Sequence, residues 1–467
     1  MWSCVSPGWP VAESPVGSPR LFERLYRGDV GCGGRARKGE RSLKQRCSVE
    51  GEFRIYVGLD WGTEFHRACV LDPTGKILRQ CRVDHNGQAI TDFLRSLDNL
   101  ANGQPATIAM AIEVPRGPVV EAFLEGGFAV FSINPKQLDR FRDRYTAAGA
   151  KDDSRDAYVA ADSLRTDQHC FRRIATDHPD VLRLREISRT EESLGEDLRR
   201  TVNQLYQLLL RYYPQLLQLN STPDEPWIWA LLEAAPVPQR GAKLTLARLK
   251  SLLAKYRIRR WTAEQLQAIL RTPPLPLSAG SADAISEHAL VLLPQLRLLY
   301  SQRNKVRDRI EALLDYMTLL GREHPECREH RDVGLLLSIP GLGNLIAANL
   351  FTEGTDALAQ RDYDALRAHS GAAPVTRQSG KSKQVIMRRG CSERLRNAVY
   401  HLARCSVLHD PHSKHHYAEL RGVGHRHGRA LRGVADRLLT VLIAMLKNGQ
   451  PYDANRRSHT TTPAEAT

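Results

Sequence analysis

The sequence predicts a mixed α/β sheet domain, then long coiled helices, then a mainly α-helical C-terminal domain. Three observations predict this order. Apolar strand-like runs follow one another from Arg54 and then alternate with helical segments. Apolar residues recur at three/four spacing across 180–214 and again across 293–320. From Val333 onward, helical runs are joined by a Pro-Gly-Leu-Gly turn and a basic segment.

Residues 1–52 carry Pro7, Pro10, Pro15 and Pro19, a Gly-Cys-Gly-Gly stretch and Arg35-Ala-Arg-Lys38. They have no hydrophobic period, so a disordered basic extension is expected. Order is expected over 53–180. Arg54-Ile-Tyr-Val-Gly-Leu59 reads as a buried strand and His66–Leu71 as a second, followed by the turn Asp72-Pro-Thr-Gly75. Lys76–Val83 completes a three-strand meander. Ile90–Leu100 reads as a helix, Thr107–Ile112 as a strand, Val119–Glu125 as a helix and Phe128–Ile133 as a strand.

The region 181–328 is expected to hold two long helices around a proline-punctuated insertion. The first covers about 180–214 and stops at Pro214. Pro236, Pro238, Pro273, Pro274 and Pro276 mark the insertion. The second is expected from Leu293 to Leu320, with Pro294 in its first turn. The two stripes could pair within one chain or between chains, so a homo-oligomer, a dimer or tetramer, is compatible with either. Within 329–448, Ile339-Pro-Gly-Leu-Gly343 resembles a helix–hairpin–helix turn. Gly341 and Gly343 would let backbone N–H groups approach a phosphate; an ordinary helix connection is the alternative. Residues 449–467 are polar and expected to be a disordered tail.

The 467 residues carry 67 Lys and Arg against 52 Asp and Glu, a net charge of +15. That surplus favours a polyanionic partner, nucleic acid first. No run of eighteen apolar residues exists, and the N-terminus lacks signal-peptide order, so no membrane partner and a cytoplasmic location are expected. Nine cysteines without CxxC spacing indicate neither zinc nor a disulfide scaffold. Cys170, Cys391 and Cys405 read as reduced thiols.

Four acids carry the sharpest chemical signal. Asp60 ends the first strand and Glu113 interrupts an apolar strand before Pro115. Asp153 and Asp156 lie three apart in Lys151-Asp-Asp-Ser-Arg-Asp-Ala157 and would share one helix face. Carboxylates brought together in this way suit Mg2+, and paired divalent cations suit phosphodiester cleavage. Each acid alone is ordinary: strand-end aspartates cap turns, and acidic pairs on helices are usually solvated. Asp60-Trp-Gly-Thr63 also fits the phosphate loop of actin-like ATPases, but the later glycine-rich loops of that class are missing. Between Arg377 and Arg396 there are seven basic residues and one acidic residue. Ser379 lies within that segment, beside Gly380, where a polar turn residue is the plain reading.

Together these residues resemble the DEDD-type insertion-sequence transposases, the serine-containing recombinases guided by a bridge RNA. The resemblance rests on Tyr56-Val-Gly-Leu-Asp60, Ala111-Ile-Glu113, Lys151–Ala157, the long helices and Ile339–Gly343. It continues through His369-Ser-Gly-Ala-Ala-Pro374, Gln378-Ser-Gly380, Arg388-Arg-Gly390 and Leu395-Arg396, and covers about Arg54 to Met445. One departure is Asp152, where the family pattern has threonine.

The resemblance implies an RNase H/RuvC-like N-terminal domain with Asp60, Glu113, Asp153 and Asp156 as Mg2+ ligands and catalytic residues. It implies Ser379 as a nucleophile in a separate C-terminal transposase domain. Arg377, Lys381, Lys383, Arg388 and Arg389, with Gly341 and Gly343, are the expected nucleic-acid contacts. The expected partners are the DNA of element ends and target, and an element-encoded noncoding RNA, met at the bacterial nucleoid. A RuvC-like structure-selective nuclease is the alternative; it would need the acids but not the serine. A noncatalytic nucleic-acid-binding protein would need neither.

Overall fold

Apolar runs rich in Ile and Val form the centre of a six-stranded sheet in the order β3-β2-β1-β4-β5-β6. The strands are β1 (Ile55–Asp60), β2 (Phe65–Leu71), β3 (Ile77–Asp84), β4 (Ile108–Ile112), β5 (Ala129–Ser132) and the two-residue β6 (Arg172–Arg173). β1, β4 and β5 run parallel, whereas β1–β2, β2–β3 and β5–β6 are antiparallel. The computed structural model describes residues 53–145, 153–174, 177–380 and 382–454. The expected extension 1–52, Lys151, Asp152, Lys381 and the tail from 455 lie outside the described residues. The chain divides into two compact units, Met1–Ile174 and Ala175–Thr467.

In the first unit, helices cover both sheet faces. α1 (Gly87–Leu100) and α2 (Pro118–Glu125) bring Phe93, Leu97 and Phe123 against Ile55, Val57, Ile108 and Met110. A helix absent from the sequence expectation, α3 (Pro135–Arg142), follows β5; Asn134 caps it and Pro135 opens it. α4 (Asp153–Thr166) lies on the opposite face, where Ala157, Ala160 and Ala161 meet Ala109 and Ala111. Small residues on both sides allow close approach. A Cβ on Gly58 would stand 1.9 Å from the Ala157 carbonyl oxygen, so α4 crosses β1 at the one strand position without a side chain. This is an α/β fold of the RNase H/RuvC-like kind, joined to a helical C-terminal part.

In the second unit, α5 (Pro179–Tyr212) and α11 (Ala279–Glu323) pair antiparallel within the chain. Val181 and Leu184 meet Ile310, Leu313 and Met317 at one end; Leu205 and Leu209 meet Leu292, Leu293 and Leu296 at the other. Midway, Glu191 accepts hydrogen bonds from Arg303 Nε (2.8 Å) and Arg307 Nε (2.7 Å). Between the long helices come α6 (Gln215–Leu219), α7 (Pro226–Ala234), α8 (Pro238–Gly241), α9 (Leu246–Lys255) and α10 (Ala263–Leu270). They enclose the fully buried Trp227 and Trp229.

The start of α11 differs from the expectation. Pro294 sits in the interior of the helix, not in its first turn. Leu293 and Leu296 around it are buried, and that packing offsets the backbone bond proline cannot make.

Helices α12 (Arg328–Leu337), α13 (Asn344–Glu353), α14 (Thr355–Gln360) and α15 (Tyr363–His369) lead to a hairpin, β7 (Val375–Ser379) and β8 (Ser382–Ile386). Helices α16 (Glu393–His409), α17 (Pro411–Gly422) and α18 (His427–Asn448) follow. Val181 and Leu184 share one core with Leu336, Leu402 and Leu439, so the expected regions 181–328 and 329–448 are not separate cores. Beyond α18, Tyr452 N–H donates to Ser338 Oγ at 2.8 Å, which ties the first residues of the expected tail to the fold. No helix among the described residues is long and apolar enough to cross a membrane.

Candidate active site

Strand register brings the first two acids together. Leu59 pairs with Ile112 in parallel β1 and β4, so the residues that follow, Asp60 and Glu113, leave neighbouring strands at the same edge. Leu59 and Ile112 face α1 and α2, so alternation turns Asp60 and Glu113 toward the α4 face. The direction of α4 is fixed by its far end. Arg165 donates to the Pro73 carbonyl (3.4 Å) just beyond β2, whose Leu71 pairs with Tyr56 near the start of β1. α4 therefore runs against β1, and its first turn points to the Asp60 edge. From the Gly58–Ala157 crossing, Asp60 lies about 6.6 Å along the strand, and Asp153 about 6 Å along the helix. Backbone placement thus sets all four expected acids toward one end of the sheet, although among the described residues no three of them bring carboxylate oxygens within 4.8 Å of one another.

Two of them differ in environment. Asp153 is exposed, whereas Asp156 is 5% exposed and held in a fork by Arg142. Arg142 Nε and Nη2 donate to its two oxygens at 2.8 and 2.9 Å. A buried carboxylate needs such a partner. Sequence reasoning missed Arg142; the Asn134-Pro135 helix start was the signal available for its helix. The donors at the edge are all carboxylates, hard ligands that suit a small divalent cation. Farther along α4, Asp162 is engaged elsewhere: it accepts from Arg165 Nε (2.9 Å) and from the Tyr145 hydroxyl. Burial first, and then Asp162, raises the Tyr145 phenol above its ordinary value.

The loop after Asp60 is braced by a histidine pair that sequence reasoning did not single out. Gly62 N–H donates to His66 Nδ1 at 3.3 Å, and His66 Nε2 stands 3.0 Å from His85 Nδ1. If Nδ1 accepts, Nε2 carries the proton and donates to His85. Trp61 lies against both rings. His66 is wholly buried, and burial, then His85, lowers its pKa. Nineteen residues separate the two histidines, so only the β2–β3 pairing reveals them.

Ser379 lies in the second unit, at the end of β7. Ser379 pairs with Ser382, Gln378 with Lys383 and Arg377 with Gln384. Gly380, which follows Ser379, has φ +54. Strand alternation puts Arg377 on the face of Ser379 and Lys383 on the other. All three are exposed. The hairpin base is fixed. Gly371 has φ +72, and a Cβ there would lie 2.8 Å from Cys391 Sγ. Arg396 Nη2 donates to the carbonyls of Arg388 (3.3 Å) and Arg389 (3.2 Å). Arg388 is itself tied to the Ala373 carbonyl at 3.4 Å; Arg389 is exposed.

The two turn glycines have different surroundings. A Cβ on Gly341 would stand 2.9 Å from the Cys405 backbone, so Gly341 serves the packing of the α12–α13 turn on α16. Gly343 caps α13, is exposed, and has no atom within 4 Å of a Cβ position. Of the pair, only Gly343 leaves a helix N-terminus open to an anion.

Comparison with known proteins places the chain in a family. Residues 57–214 match the DEDD transposases of IS110 type, and residues 333–418 match the "Transposase IS116/IS110/IS902 family". The chain is 39% identical to "Putative transposase y4uE" of Sinorhizobium fredii over 55% of this chain and 71% of that protein. It is 31% identical to "Mini-circle putative transposase for IS117" of Streptomyces coelicolor, over 87% of this chain and 97% of the relative. It is 26% identical to "Insertion element IS110 uncharacterized 43.6 kDa protein" of the same species, over 86% and 96%. A DEDD domain of this kind uses divalent metal, and transposases cut and rejoin DNA. The chain belongs to the IS116/IS110/IS902 family of transposases, the DNA-acting enzymes of insertion sequences.

Proposed function

We propose that the chain recombines DNA by a serine–phosphate route, with Ser379 as nucleophile and Asp60, Glu113, Asp153 and Asp156 as Mg2+ ligands. The observation that carries the reading is the placement of four acids toward one end of the sheet in one unit, while the other presents a serine on an exposed basic hairpin. Mg2+, when bound, would polarise the phosphate and favour ionisation of the attacking hydroxyl. Asp60 and Glu113 would hold that group from the strands, and Asp153 and Asp156 from the helix. Arg142 balances Asp156 in the free protein and must yield part of it on loading.

Ser379 gives its proton to solvent or a neighbouring base, and its Oγ forms a bond to phosphorus. The bond from phosphorus to one deoxyribose oxygen breaks, and that oxygen takes up a proton. The reverse attack by a deoxyribose hydroxyl restores a phosphodiester and frees Ser379. The number of phosphoester bonds is conserved, so no ATP is required. Arg377, on the same face as Ser379, and Lys381 and Lys383 hold the backbone beside the scissile phosphate. Arg389 and the open α13 N-terminus at Gly343 extend that hold. Arg388 and Gly341 support this surface from within. An element-encoded RNA would choose the sites by base pairing; the net charge of +15 suits two nucleic acids at once. Acids and serine belong to different units, and we assign their meeting to a dimer or tetramer assembled on DNA.

The test incubates protein with element-end DNA, flanking RNA and Mg2+, and looks for a covalent adduct on a denaturing gel. Wild type should give an adduct; Ser379→Ala and Asp60→Asn should not, and omitting the RNA should abolish it. Equal cleavage by wild type and Ser379→Ala without an adduct would instead support a RuvC-like nuclease.

A further inference from the structure

The starts of two helices in the second unit converge on a cluster of metal-ligating side chains. His178 caps α5, Cys327 caps α12, and His330 lies in the first turn of α12. One ligand atom from each lies within 4.8 Å of the others. The two imidazoles meet edge to face with centroids 4.6 Å apart. Asp180 Oδ2 is 3.0 Å from His330 Nε2 and 3.6 Å from His178 Nδ1. His330 is 5% exposed, and His178 and Cys327 are half-buried.

Ordinary structural roles cover only parts of this arrangement. Helix capping uses His178, whose Nδ1 accepts the Asp180 N–H at 3.2 Å. An ion pair uses His330 and Asp180. Neither uses Cys327, which makes no side-chain cap bond to its own helix. We propose that His178, Cys327 and His330 bind a zinc-class transition-metal ion that joins the start of α5 to the start of α12.

The chemistry separates this site from the carboxylate edge. A thiolate and two imidazoles are ligands for zinc or cobalt, not magnesium. One thiolate and the Asp180 carboxylate balance a divalent charge. Bonds of about 2.0–2.3 Å in a tetrahedron set ligand atoms about 3.3–3.8 Å apart. With ligand atoms within 4.8 Å of one another, the cluster is looser by at most about 1.0–1.5 Å, within the reach of side-chain rotation. Asp180 supplies the fourth oxygen or, accepting from an imidazole N–H, fixes the ring that ligates. Such a site would fix the start of α5 against the start of α12. The spacing Cys327-Arg-Glu-His330 is visible in the sequence, but His178 joins it only in the folded chain.

The experiment titrates full-length, untagged, metal-stripped protein with Co2+ and records its absorption spectrum. Binding at this site should give a thiolate-to-cobalt charge-transfer band that saturates at one ion per chain and vanishes in Cys327→Ser. Co2+ at the carboxylate edge would give no such band, so the two sites are read separately. Zn2+ should displace the cobalt and raise the midpoint of thermal unfolding. A wild-type titration without the thiolate band overturns the proposal, whatever the variant does. So does a band that survives unchanged in Cys327→Ser.

Discussion

Replacing Gly58 by alanine tests whether α4 must lie directly on β1 for the acids to work together. The added Cβ would stand 1.9 Å from the Ala157 carbonyl oxygen and 2.6 Å from Ala161 N. Both are backbone atoms, so no rotamer change relieves the clash. Contacts under 3.0 Å are essentially never seen for a Cβ, so the helix must retreat by about 1 Å. Asp153 and Asp156 ride on that helix, whereas Asp60 and Glu113 stay on the strands. A misplacement of that size costs about 10²-fold in rate, and overpacking costs about 1–3 kcal/mol of stability. The assay pairs DNA cleavage in Mg2+ with thermal unfolding, and uses Gly87→Ala, which meets nothing within 4 Å, as the control. Wild-type cleavage by a folded Gly58→Ala protein would refute the geometry drawn from the strand register.

Three further outcomes are expected. Arg142→Ala should cost about 3 kcal/mol by leaving Asp156 buried and unpaired; Mg2+ should then raise its unfolding midpoint more than that of wild type. Equal shifts would argue against a metal near Asp156. The folded-state pKa of His66 is lowered from 6.5, so the unfolded chain protonates first as pH falls. The stability it contributes is present above pH 6.5 and lost as pH drops through the folded value. His66→Phe should flatten the fall in denaturation midpoint between about pH 7.5 and pH 5.5, and an unchanged slope counts against it. Arg377→Ala should lower the slope of log affinity for DNA against log salt by about 1; an unchanged slope would remove Arg377 from the phosphate contacts.

Much of the sheet was legible because its central strands are buried on both faces. Ile55–Leu59 and Ile108–Ile112 therefore read as continuous apolar runs, and parallel register then carries Asp60 and Glu113 to one edge. What depends on tertiary packing was not legible. α11 passes beyond Pro294 because Leu293 and Leu296 are buried against α5 and the insertion helices. The β7–β8 hairpin is almost wholly exposed and lacks the alternation of a half-buried strand, so it read only as a basic segment. Arg142 reaches Asp156, fourteen positions later, and His66 reaches His85, nineteen positions later; neither contact leaves a spacing in the sequence. The shared core of 181–328 and 329–448 likewise joins residues far apart in the chain, such as Leu184 and Leu439.

The most direct measurement traps the protein on element-end DNA with RNA and Mg2+, digests it, and identifies the modified peptide by mass spectrometry. The account predicts a nucleotide phosphate on Ser379 in the segment Gln378-Ser-Gly380. A phosphate on any other side chain, or efficient cleavage with no modified peptide, would contradict it.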